Sequence, residues 1–191
     1  MLKGIDISHY QKSTIIKPSF DFVICKASEG EHMQDKDFAK HLNYAKKQGI
    51  TLFGAYHYAK TKTDPLKNAQ NFLDAVCKRA ELGDCLLLAL DIEGTDMTNQ
   101  NSIAWCLTWL KEVERVTGIK PVVYTSATHC NKLKPILENN NGLWVAHWGA
   151  EKPNTGVYPF WALWQYKVEV NLDFDYFNGN RSQYLKYCRK K

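Results

Sequence analysis

The apolar run Leu86-Leu87-Leu88-Ala89-Leu90 is of strand length and ends abruptly in Asp91-Ile92-Glu93-Gly94. Side chains two residues apart on a strand point to the same side. Asp91 and Glu93 are therefore expected to project together from the strand's C-terminal end. In a barrel of alternating strands and helices, catalytic groups sit at that end. Two nearby acids in different surroundings can hold different protonation states, as general acid catalysis at a glycosidic bond requires. An Asp-x-Glu string is also what a strand running out into a solvated acidic turn leaves.

The pattern around this strand alternates. Residues 3–8 and 22–27 read as strands, and a helical stretch at 37–48 is stopped by Gly49. Residues 51–58 form the next strand. Asp64-Pro65 then offers an N-cap and a first-turn proline, followed by Leu66, Ala69, Leu73 and Val76 at helical spacing. After strand 86–93, Ile103, Leu107, Leu110 and Val113 mark a helix closed by Gly118. Residues 121–125 are strand-like and a short helix fits within 127–137. From there on the helices thin out: 143–148, 161–166 and 171–177 are short aromatic strands, and 181–189 suits a terminal helix. Alternating strands and helices imply parallel βαβ units. Eight strands in 191 residues, fewer than the ~250 residues usual for a full eightfold barrel, point to a closed barrel lacking helices in its last third. An open doubly wound sheet competes, but no glycine-rich phosphate loop follows the first strand. No repeat or linker divides the chain, so residues 1–191 are expected to form one domain.

A hydrophobic content of 45% suits a folded globular protein, and no segment approaches the ~18 apolar residues of a membrane span. The net charge of +5 is dispersed, without the basic stripe of a nucleic-acid binder. It is compatible with an anionic polymer such as a bacterial cell wall, and equally with an ordinary solvated surface. Six cysteines lack C-x-x-C spacing and the six histidines lack an H-E-x-x-H pattern, so buried thiols are expected and no metal.

Further acids join the first pair. Asp6 sits near the end of the first strand, and Asp173 and Asp175 lie in the last. First and last strands of a closed barrel are neighbours, which would set Asp6 and Asp173 side by side at the rim. Aromatics gather near other strand ends: Tyr56, Tyr58, Tyr124, Trp144, Trp148, Trp161, Trp164 and Tyr166. Such walls suit the apolar faces of sugar rings, or fill a core. Trp144 and Trp161 read as core, whereas Tyr124 and Trp148 suit a groove. Lys26 reads equally as a donor to a sugar hydroxyl and as a surface lysine. His57, between two tyrosines, reads as a structural histidine.

Together these strings resemble glycoside hydrolase family 25, the lysozymes that cleave bacterial peptidoglycan. The strings are Gly4-Ile5-Asp6-Ile7-Ser8, Phe22-Val23-Ile24-Cys25-Lys26-Ala27-Ser28-Glu29-Gly30, Gly54-Ala55-Tyr56-His57-Tyr58, Leu90-Asp91-Ile92-Glu93, Pro121-Val122-Val123-Tyr124-Thr125, Leu143-Trp144-Val145-Ala146, Trp164-Gln165-Tyr166 and Leu172-Asp173. They stand in the family's order. The resemblance implies an α/β fold, an irregular TIM-like (β/α)5(β)3 barrel. It also implies hydrolysis of the β-1,4 bond between N-acetylmuramic acid and N-acetylglucosamine, with no cofactor and no metal. Glu93 would be the general acid, Asp91 the second catalytic carboxylate, and Asp6 and Asp173 the flanking acids. Tyr58, Tyr124, Trp148 and Lys26 would contact the sugar. The family more often carries Asn where Asp175 stands, which leaves that residue without a role.

Two mechanisms remain open at this stage: attack by the substrate's own 2-acetamido oxygen with Asp91 assisting, or direct activation of water by a carboxylate. Two rival functions share the same residues. One is a non-catalytic peptidoglycan-binding or toxin-like module on this barrel. The other is a hydrolase using the four acids as oxygen ligands for a hard cation. The expected partner is bacterial peptidoglycan, met by a monomer with no separate wall-binding domain. No signal-peptide core precedes the first strand. This fits phage-type release from a cytoplasm, or secretion after a signal has been removed.

Overall fold

The computed structural model describes residues 1–81, 83–98 and 100–188. In chain order the elements are β1 (Leu2–Ile7), β2 (Phe22–Glu29), β3 (Met33–Gln34), α1 (Phe38–Lys47), β4 (Leu52–Tyr58), α2 (Pro65–Glu81), β5 (Leu86–Asp91), α3 (Gly94–Thr98), α4 (Ser102–Thr117), β6 (Val122–Ser126), α5 (Lys134–Glu138), β7 (Leu143–Ala146), β8 (Leu163–Glu169), β9 (Leu172–Phe177) and α6 (Arg181–Tyr187). Local chemistry sets the helix ends. Asp64 Oδ1 accepts the Leu66 N–H at 2.7 Å to start α2. Gly118, at φ 69°, donates to Glu114 O and ends α4. Asn180 and Gln183 form a reciprocal capping box on α6.

Eight strands close a barrel in the order β1-β2-β4-β5-β6-β7-β8-β9, with β9 returning to β1; β3 only extends β2 at its edge. Pairings from β1 through β8 are parallel, while β9 runs antiparallel to both β8 and β1. The expected irregular barrel is therefore present, with one reversed strand. Helices α1, α2 and α4 wrap the first five barrel strands. No helix of the described residues lies between β7, β8 and β9.

Strand parity divides the side chains into two cores. Ile5, Ile7, Val23, Cys25, Ala55, Leu88, Leu90 and Val123 face outward to the helices. Phe22, Ile24, Leu52, Leu87, Ala89, Val122, Leu163 and Phe177 fill the barrel interior, and Tyr184 of α6 plugs its lower end against Phe22 and Phe177. Gly4 makes room there: a Cβ on it would stand 2.5 Å from both the ring and the carbonyl oxygen of Phe22. The same inward parity becomes polar toward the C-terminal ends of the parallel strands. Asp91 follows Leu87 and Ala89 on β5, Asp6 follows Gly4 on β1, and Lys26 follows Phe22 and Ile24 on β2. A bulge at Ala27 shifts the β2–β4 register between Lys26 and Ser28. Beyond it Glu29 pairs with Tyr58, so Lys26 and Glu29 come to the same side, three residues apart.

Two sequence expectations change in detail. The carboxylate strand ends at Asp91 rather than at Glu93, and α3 begins directly after it. The chain nevertheless stays extended through Ile92, whose N–H donates to Tyr124 O at 3.0 Å, so Glu93 keeps the inward side. Strand β8 continues to Glu169, three residues past the expected end, because it forms a hairpin with β9.

Candidate active site

At the C-terminal end of the barrel lies a cleft of about 300 Å³ lined by Asp6, Lys26, Tyr58, Asp91, Glu93, Tyr124, Trp148 and Asp173. Every site residue singled out from the sequence is among them. Ser8, Tyr10, Tyr56, Trp144 and Gln165 complete the lining. The reversal of β9 brings Asp173 in: near the start of that strand, it pairs directly with Asp6, near the end of β1. Parity separates the aromatics. Trp164 and Tyr166 lie outside the cleft, where Tyr166 stacks on Tyr176 at 4.1 Å between centroids, and Trp161 packs edge-on to Trp164. Trp144 is core, as expected, and also forms part of the cleft floor.

The floor is a group of carboxyls held by neutral donors. Gln165 Nε2 donates to Asp6 Oδ2 at 2.8 Å. Gln165 Oε1 accepts the Tyr124 hydroxyl at 3.0 Å and the Trp148 indole N–H at 2.9 Å. Asp91 is buried, and its Oδ1 meets no hydrogen-bond donor. Burial opposes charge, and the carboxyls oppose one another. Asp6 is pushed up to about 7, first by burial and then by Asp173. Asp91 is held well above the usual carboxylate range by burial, then by Glu93 and Asp6. Glu93 is raised by burial and then by Asp173, against the opposing pull of Lys26 and Lys60. Burial raises Asp173 as well.

One wall carries the opposite sign. Lys26 is neither a plain surface lysine nor a free donor. It is buried, and its Nζ meets Glu29 Oε2 at 2.6 Å. Lys60 reaches the other Glu29 oxygen at 3.1 Å. Both ammonium groups lie by the Tyr58 ring, 4.9 and 4.4 Å from its centroid. Burial alone would raise Glu29, but hydrogen bonds from the two lysines outweigh it and leave its carboxyl below the usual value. Burial and Glu93 push Tyr58 up to about 12, so it keeps its hydroxyl proton.

His57 faces the helices instead. It is fully buried, with Ser28 Oγ 2.8 Å from Nδ1 and Asn68 Oδ1 3.1 Å from Nε2. Burial lowers it to about 4, so it is neutral and structural. Sequence reasoning missed Gln165 and Tyr10. Gln165 shows as the one amide among aromatics in β8; Tyr10 is 81% exposed at the rim and carried no pattern at all. Among the described residues no cluster of His, Cys, Asp or Glu has the makings of a metal site.

A second hollow of about 380 Å³ continues the cleft, lined by Ser126, Thr128, His147 and Asn154 and sharing Glu93, Tyr124 and Trp148 with it. The combined groove thus has an acidic floor, aromatic walls and Glu93 at its junction. The sequence model of the glycosyl hydrolases family 25 matches residues 5–173. The chain belongs to that family. Family 25 members are glycoside hydrolases, and this chain is one. Among its relatives is the uncharacterized protein YegX of Escherichia coli O157:H7, 29% identical over 202 residues, which span 95% of this chain and 71% of YegX. The structure of a family 25 lysozyme from Aspergillus fumigatus superposes with a TM-score of 0.80 at 28% identity, covering 98% of each chain. The catalytic domain of endolysin ply40, from bacteriophage P40 of Listeria monocytogenes, gives 0.75 at 26% identity, again over 98% of each.

The raised carboxyls make the site costly at neutral pH. The folded state holds the Asp91 proton to a pH above 3.8, whereas the unfolded chain releases it near 3.8. The folded state therefore loses stability as pH climbs through that window, by at most about 1.4 kcal/mol per pH unit. Asp91→Asn removes the titration. Its unfolding midpoint in urea, relative to wild type, is expected to rise between pH 4 and pH 8. A constant difference would show that Asp91 is not desolvated as described.

Proposed function

We propose that this chain is a lysozyme that hydrolyses the β-1,4 bond between N-acetylmuramic acid and N-acetylglucosamine in bacterial peptidoglycan. The observation that carries the reading is the position of Glu93. It is half-buried, raised by burial and by Asp173, and set where the acidic cleft meets the second hollow. A glycan laid along the groove would present its scissile oxygen there. A protonated Glu93 would donate to the leaving oxygen, with one sugar over Asp6, Asp91 and Asp173 and the next beyond Glu93. Tyr58, Tyr124 and Trp148 would pack on sugar faces and Lys26 would sit at the wall. The lysozyme and endolysin relatives support the same substrate class. The endolysin relative further favours a cell-wall enzyme made in a bacterial host and released at lysis.

For the nucleophilic step, Asp91 supports assistance by the substrate. It lines the cleft floor beside Glu93, where its carboxyl would accept the N–H of a 2-acetamido group. The acetamido oxygen would then attack the anomeric carbon as Glu93 protonates the leaving oxygen. Water would open the resulting ring with Glu93 as base, returning the original anomer. Proton NMR of nascent product from a soluble glycan should show the β-anomer first. Initial α-anomer would mean direct attack by water.

Digestion of purified peptidoglycan, followed by borohydride reduction and mass spectrometry, tests the whole reading. Wild type should yield reduced muramic acid ends, and Glu93→Gln should lower their rate by at least ~100-fold. Reduced glucosamine ends would assign a different bond. Tight binding to intact glycan by both proteins would make this a recognition module.

The pH profile follows from the electrostatics. Glu93 acts when protonated, so activity falls as pH rises through its raised pKa. Asp173→Asn removes a negative charge that raises Glu93 and should move the alkaline limb of kcat to lower pH. A limb that stays in place would assign it to another group.

A further inference from the structure

Asp175 lies beneath the cleft and is buried completely. Two residues along β9 from Asp173, it pairs with Gly4 on β1 and so shares the inward parity of Asp6. Its Oδ1 accepts the Trp144 indole N–H at 2.8 Å. Its Oδ2 is buried with no donor in reach. The Asp6 carboxyl, which already accepts Gln165 Nε2, interacts with the Asp175 carboxyl at hydrogen-bonding range.

Ionised carboxylates only accept hydrogen bonds, and two of them at this range inside a protein repel strongly. A single shared proton removes the repulsion and occupies the orphan oxygen. The surroundings decide which acid carries it. Asp6 faces the cleft and receives an amide N–H, which favours its charged form; Asp175 is sealed below with a bare oxygen. We propose that Asp175 is a positioning residue that remains a neutral acid and donates its proton to Asp6, fixing Asp6 as a carboxylate between Asp175 below and Gln165 alongside. The role rests on reading the cleft as a sugar-cleaving site.

The electrostatics agree. Burial, then the charge of Asp6, hold Asp175 well above the usual carboxylate range, whereas Asp6 itself reaches about 7, so Asp6 is the first of the two to ionise and is the carboxylate above that pH. Asp173 on β9 and Glu93 beyond β5 act on the pair, and the pair in turn acts on Asp91 on β5, Tyr56 on β4, Tyr124 on β6, Tyr184 on α6 and Cys25 on β2. Burial holds the tyrosines and the thiol protonated. The remaining charges are negative and discourage a second one on Asp175. An Asn at this position would keep both contacts, accepting from Trp144 and donating to Asp6, without titrating.

The test combines carbon NMR of the aspartate carboxyls with kinetics. Wild type should show protonated aspartate carboxyls through neutral pH, one of which is retained in Asp91→Asn and lost in Asp175→Asn. Asp175→Ala, stripped of the donor, should lose roughly 10–100-fold in kcat on soluble glycan. Asp175→Asn should recover most of that loss. Absence in wild type of a protonated aspartate signal that persists in Asp91→Asn, survival of that signal in Asp175→Asn, or an Asn variant as slow as Ala would each overturn the proposal. If wild-type protein cleaves no glycan, the lysozyme reading fails, while the carbon spectra still decide where the proton resides.

Discussion

Hydrogen bonding of β9 antiparallel to both β8 and β1 closes the barrel, and the site depends on that reversed strand. A parallel β9 would carry its first residues to the apolar lower end, far from the mouth. Running backwards, it delivers Asp173 opposite Asp6 and leaves Asp175 one inward step below. Two carboxyls at the mouth and a third beneath them thus come from two adjacent strands. The reversal also removes the need for a crossover helix, since antiparallel neighbours join through a short turn.

The interior is graded from bottom to top. Phe22, Leu87, Phe177 and Tyr184 make a dry base, and the same inward positions turn acidic a few residues higher. Burying several carboxyls together is unfavourable, and the surrounding shell of apolar contacts has to offset it. The compensation inside the site is selective. Asp6 is given an amide, Glu29 two ammonium groups, and Asp91 very little. Similar side chains in one cleft therefore reach different affinities for protons, which lets acids share chemistry without being interchangeable.

Much of this was legible in the sequence. Parallel strands with apolar outer faces left the change from Leu90 to Asp91 visible as a break, and Asp64-Pro65 and Gly118 marked helix ends by their own chemistry. The direction of β9 was not visible. Its hairpin turns at Val170-Asn171, both with positive φ, and a β-branched residue in that conformation gives no turn pattern to read. Helix α3, five residues long, is too short to display a period. Lys60 was missed for another reason: its importance lies in what it touches across the barrel mouth, and a single lysine has no local pattern that announces it.

Trp148 is both wall and strut. The residue lines the groove and is 59% exposed, while its indole nitrogen is tied to Gln165, whose far end holds Asp6. A ring stacking on that surface would bear on a chain of two hydrogen bonds with the floor carboxylate at its other end. Under the proposed reading, occupancy of the groove would be coupled to the orientation of the floor, and a glycan too short to reach the indole would leave that coupling unused.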